Sequence, residues 1–115
     1  MSKQDIIDTI NNEFTGKAIQ HSEQCEYLTD DGRKCVIGLF IPDGHEAQRS
    51  TGDVECILGT YPELSDYMPS KSIRFLDSLQ REHDSIPTIL DAEGQREILT
   101  KWVDEHYDEF HKGER

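Results

Sequence analysis

Residues 25–41 read Cys25-Glu26-Tyr27-Leu28-Thr29-Asp30-Asp31-Gly32-Arg33-Lys34-Cys35-Val36-Ile37-Gly38-Leu39-Phe40-Ile41, and the fold class turns on how this stretch is paired. Asp31-Gly32 between two apolar-containing runs supplies the positive φ values of a tight primed turn, so the pattern predicts a β-hairpin. Val36, Ile37, Leu39, Phe40 and Ile41 are apolar on both parities, which predicts a second strand covered on both faces. Pro42-Asp43-Gly44 ends it. After a polar loop over 43–53, Val54-Glu55-Cys56-Ile57-Leu58 reads as a third short strand before Gly59.

Helices are expected on either side. Ser2 is a candidate N-cap for a segment over 2–14 that carries Ile6, Ile7, Ile10 and Phe14 at helical spacing, with Gly16 as its stop. Pro69 and Ser70 open a second helix with Ile73, Leu76 and Leu79 on one stripe and Phe75 beside it, running to about Asp84. Ile86-Pro87 interrupts. Asp91 then caps a third helix with Ile98, Leu99, Trp102, Val103 and His106. The expected fold is α+β, a single domain over 1–115. It has an N-terminal helix, a three-stranded antiparallel sheet around the 25–41 hairpin, and two C-terminal helices on one sheet face.

Composition limits the function classes. The chain has 115 residues, with 24 Asp and Glu against 12 Lys and Arg, a net charge of −12. A chain of this size buries roughly two-thirds of the surface its unfolded form exposes, enough for one modest core without a metal or disulfides. The halves on either side of residue 60 each carry a net −6, so no basic patch is hidden in one of them. Direct nucleic-acid binding is thereby disfavoured, because it draws its affinity from cations that neutralise phosphates. No apolar run approaches the ~18 residues of a membrane span, and the N-terminus has no apolar signal region, so no membrane role and a cytoplasmic location are expected. Three cysteines at irregular spacing fit reduced thiols better than a disulfide framework.

The ordered blocks Cys25-x-Tyr27, Asp31-Gly32-Arg33-Lys34-Cys35-x-x-Gly38-x-x-Ile41-Pro42-Asp43, Leu79-Gln80-x-x-His83-Asp84 and Trp102 resemble a family of small proteins encoded by bacteriophages, prophages and some bacteria. That family has no established activity. The resemblance spans about residues 25–106, apart from the loop from Gly44 to Gly52, which does not align. It implies a phage-type accessory protein in the host bacterial cytoplasm, non-enzymatic, that binds and modulates a host protein or other macromolecule, as in counter-defence.

The residues that could carry chemistry are few. Cys25, Cys35, Cys56, His21 and His45 offer zinc-ligand types, but only His21-x3-Cys25 approaches the close ligand pairs of structural zinc sites. A two-residue hairpin turn would put Cys25 and Cys35 on opposite faces, and a three-residue turn would reverse that. Buried thiols are the simpler reading, and neither a metal nor an organic cofactor is expected. Cys35 or Cys25 with His83 as base would make a hydrolase, yet a strand leading into an apolar run is a poor setting for an exposed nucleophile. His83-Asp84 lacks the further His and Asp ligands of HD-type phosphohydrolases.

Tyr27, Asp43, His83 and Asp84 are the polar members of the family-like blocks. They predict either a buried hydrogen-bond network tying helix to hairpin or a pocket for a small, nucleotide-like ligand. Trp102, Val103 and His106 read as core with a polar edge. Asp104, Glu105, Asp108 and Glu109 form an acidic run that is either a solvated helix face or a partner-binding surface, in the extreme a mimic of nucleic-acid phosphates. The acidic surface is the preferred binding site, and the oligomeric state is left open.

Overall fold

The computed structural model describes residues 2–15, 35–49, 54–87 and 89–111. Residues 25–34, with Cys25 and Tyr27, lie outside them. Among the described residues there are four α-helices: α1 (Lys3–Glu13), α2 (Val54–Thr60), α3 (Ile73–Ser85) and α4 (Ala92–Phe110). Three short 3-10 turns, Ile37–Phe40, Glu46–Arg49 and Pro62–Asp66, lie between them. No described residue is in a strand, so the α+β expectation is corrected to a helical fold.

Two segments account for the correction. The apolar run over 36–41 winds as a 3-10 turn that buries Val36, Ile37, Phe40 and Ile41. A short continuous apolar run has no periodicity to separate a covered strand from a buried helical turn, and the spacing 36, 37, 40, 41 also suits the helical alternative. Residues 54–58, expected as a strand, open α2, which turns Val54 and Ile57 inward at i and i+3 and leaves Glu55 and Cys56 exposed. Without strands at either place there is no sheet among the described residues for the C-terminal helices to cover. They pack on each other, and α4 also packs along α1.

Caps define the helix starts. Ser2 forms a capping box with Asp5: its hydroxyl accepts from the Asp5 amide at 3.1 Å, and its own amide donates to Asp5 Oδ2 at 3.1 Å. The Ser2 amide first, then the Ser2 hydroxyl, holds the Asp5 carboxyl below its ordinary range. Asp91 Oδ1 accepts from the Gly94 amide at 2.8 Å at the start of α4. The second expected helix starts later than Pro69-Ser70. Its N-cap is Ser72, which accepts from the Phe75 amide at 3.2 Å, while the Ser70 hydroxyl is engaged elsewhere. Replacing Ser72 or Asp91 with Ala should each cost about 1 kcal/mol, measured as a fall in the urea midpoint. An unchanged midpoint in both variants would show that these bonds do not hold the helix ends.

The core is drawn from every helix. Ile6 and Ile10 of α1 and Phe14 at its C-cap meet Phe75, Leu76 and Leu79 of α3 and Leu99 and Val103 of α4, with Val36, Ile37 and Leu64 from the connections. Phe75, fully buried, has four rings around it, with centroids at 5.6 Å for Trp102, 5.6 Å for Tyr107, 5.8 Å for Phe110 and 5.0 Å for His111. No helix among the described residues is long and apolar enough to cross a membrane.

Candidate functional site

Gln80, His83 and Asp84 stand at i, i+3 and i+4 on α3, so helix geometry alone puts them on one face. His83 is only 2% exposed. Its Nδ1 lies 3.1 Å from Asp84 Oδ1, and Gln80 Nε2 donates to the same oxygen at 3.2 Å and lies 3.3 Å from Nδ1. Gln80 Oε1 accepts from the Ile37 amide at 3.4 Å, and the Phe14 ring stands edge-on to the imidazole at 5.7 Å. The cluster therefore joins α3 to the 36–41 turn and to the end of α1. A carboxylate only accepts, so in the His83–Asp84 bond Nδ1 carries the proton and Nε2 is left as an acceptor. That atom is buried and has no hydrogen-bond partner among the described residues.

The four polar residues of the family-like blocks are not brought together. Tyr27 lies outside the described residues. Asp43 belongs to a different network, in which Gln48 donates to its Oδ1 at 3.3 Å and accepts from the Gly44 amide at 2.9 Å. Gly44 has φ +84°, a left-handed conformation that glycine adopts without strain, in the turn closed by the His45 amide on the Pro42 carbonyl. No described contact joins Asp43 or Cys35 to His83. The Cys35 sulfur accepts from the Gly38 amide at 3.3 Å, and Cys35 is buried, so Cys35 and His83 do not form the cysteine–histidine pair of a hydrolase; Cys25, the other expected nucleophile, lies outside the described residues. No group of three or more His, Cys, Asp or Glu among the described residues could hold a metal ion.

His45 closes the loop. Its Nδ1 accepts from the Ala47 amide at 3.0 Å, so its Nε2 carries the proton and donates to Glu63 Oε1 at 3.1 Å, and Tyr61 packs edge-on against the ring at 5.2 Å. Glu63's own amide first, then His45, holds the Glu63 carboxyl below its ordinary range.

Asp104, Glu105, Asp108 and Glu109 are all exposed on the last turns of α4, opposite the side that buries Leu99 and Val103. They divide into two pairs. Lys3 of α1 reaches Asp104 at 3.5 Å and Asp108 at 3.9 Å. Glu105 and Glu109, one turn apart, have no ion pair among the described residues. Together α1 and α4 carry nine carboxylates against three cations, and one of those, Arg96, donates to the Phe14 carbonyl at 2.8 Å. Trp102 is half-buried and stacked on His106 with centroids 5.0 Å apart.

Sequence reasoning passes over one further constellation. Ser70 Oγ lies 2.6 Å from His111 Nε2, and His111 Nδ1 lies 2.6 Å from the Tyr107 carbonyl oxygen. The pair is 41 residues apart in sequence and has no motif. Only the packing of the end of α4 on the start of α3 brings the two together. No protein-family model, curated protein or solved structure matches the chain.

Proposed function

We propose that the chain is a small acidic accessory protein that works by binding, its α1–α4 face engaging a cationic surface of a protein partner in the bacterial cytoplasm. The observation that carries this reading is the pair Glu105 and Glu109, exposed and without a described counter-ion beside Asp104 and Asp108. Carboxylates so arranged attract a basic partner over the Debye length and orient its approach. Where that basic surface ordinarily holds nucleic acid, they stand in for phosphates. The phage-type resemblance supplies the partner class, a host protein. His83 is only 2% exposed, which favours the exposed acids over a pocket at that cluster.

Affinity capture from bacterial lysate at low salt, followed by association kinetics with the captured protein, tests the proposal. Glu105→Gln with Glu109→Gln should slow association roughly tenfold at low ionic strength. Asp104→Asn with Asp108→Asn should slow it at least as much, because it removes two negative charges and leaves the Lys3 cation uncompensated. A complex indifferent to salt and to both double variants would defeat the acidic surface as the binding site.

A further inference from the structure

We infer that Ser70 is a nucleophile activated by His111, and that the N-terminal end of α3 is an acyl-transfer site for esters of apolar carboxylic acids. This activity is independent of the acidic face. The assignment follows from hydrogen-bond logic. The Tyr107 carbonyl can only accept, so His111 Nδ1 carries the proton of their 2.6 Å bond. Nε2 of the neutral ring is then an acceptor, and the Ser70 hydroxyl at 2.6 Å must donate to it. Nucleophile, base and a group that orients the base are thus in line, the arrangement that activates serine hydroxyls.

The setting holds the geometry. The His111 ring is stacked on Tyr107 with centroids 4.0 Å apart and stands edge-on to Phe75 at 5.0 Å. Ser70 Oγ also accepts from the Ser72 amide at 3.0 Å, which fixes the oxygen while 8% of the residue stays open to solvent. Charge that develops on an acyl oxygen needs donors, and the first turn of a helix has amides without intrahelical partners. In α3 the Ser72 hydroxyl takes the Phe75 amide, which leaves those of Ile73 and Arg74, three and four residues from the nucleophile. The substrate class comes from the flanks: Tyr67, 53% exposed, and Ile73, 44% exposed, each lie three residues from Ser70 and offer apolar surface to an acyl chain.

In the step itself Ser70 Oγ bonds to the ester carbonyl carbon while its proton passes to His111 Nε2. The carbon–oxygen bond to the alcohol breaks, and the alcohol leaves with that proton. Water then attacks the acyl-serine, gives a proton to His111, and releases the carboxylic acid as Ser70 regains its hydrogen.

The test uses the full chain with p-nitrophenyl butyrate as substrate and an alkyl fluorophosphonate as covalent probe. One adduct, mapped to Ser70, is expected, together with nitrophenol release. Ser70→Ala should abolish both. His111→Phe, which keeps a ring beside Phe75 and Tyr107, should slow both by about 10²–10⁴-fold with the helical circular dichroism unchanged. Ser70→Ala removes one hydroxyl only and keeps the test decisive even where the His111 variant unfolds. An adduct elsewhere, no adduct, or nitrophenol release as fast in Ser70→Ala as in the parent chain would each overturn the assignment.

Discussion

Phe75→Ala should lower the stability of the chain by about 3–5 kcal/mol, the largest effect expected of any single substitution in the fold. Phe75 is fully buried, and the rings of Trp102, Tyr107, Phe110 and His111 surround it at 5.0 to 5.8 Å. Truncation removes the central ring, and the four others cannot all close on the void because they are spread along one helix and its cap, over 102–111. A domain of this size is stable by about 5–15 kcal/mol in total, so the variant should lose a large share of its stability and unfold at a much lower urea concentration. Trp102, at 5.6 Å from Phe75, reports the change directly through its fluorescence in a urea titration. Phe75→Leu keeps most of the volume and should cost much less. A Phe75→Ala cost below about 1 kcal/mol, the scale of an ordinary substitution, would mean that the aromatic cluster does not bind α3 to α4.

His83 gives the second large effect, and here two substitutions should diverge. His83→Ala leaves a void between α3 and the Phe14 end of α1 and should cost about 2–4 kcal/mol. His83→Leu fills that space and removes the buried Nε2, which has no partner among the described residues. What it loses is the bond to Asp84, whose side chain is 45% exposed and can turn to water instead. Replacing a poorly satisfied polar group with an apolar one of similar shape is close to neutral, so His83→Leu should cost under about 1 kcal/mol. Gln80→Leu is the contrasting case, because it strips the acceptor from the buried Ile37 amide and should cost about 1–3 kcal/mol. Faster hydrogen exchange at Ile37 in Gln80→Leu, with little change in His83→Leu, would complete the pattern. If Leu at 83 is as damaging as Ala, the polar contacts of the imidazole, and not its bulk, hold the cluster.

The candidate sites were unevenly legible. Gln80, His83 and Asp84 share a face by spacing alone, so their association can be read from the sequence. The turn they meet cannot, because the Gln80–Ile37 bond spans 43 residues. The acidic run is visible in the sequence as four carboxylates. Its division is not, since Lys3 sits about a hundred residues away in the chain and reaches Asp104 and Asp108 only because α1 lies along α4. Ser70 and His111 carry no signal of any kind before the chain is folded.

What the sequence determined by itself is whatever one segment can settle internally. Ser2 before Ile6, Ile10 and Phe14, and Asp91 before Leu99 and Val103, pair a capping oxygen with apolar residues at helical spacing, and those helices stand where the spacing puts them. Over 36–41 and 54–58 the apolar residues are too few and too continuous for a period to emerge, so strand and helical turn are locally close in energy. Tertiary structure decided between them. The Ile37 amide finds its acceptor on α3, and Val54 and Ile57 bury their side chains on one side of a single turn. A short segment with little intrinsic preference adopts the conformation in which its backbone bonds and apolar groups are satisfied by the rest of the chain.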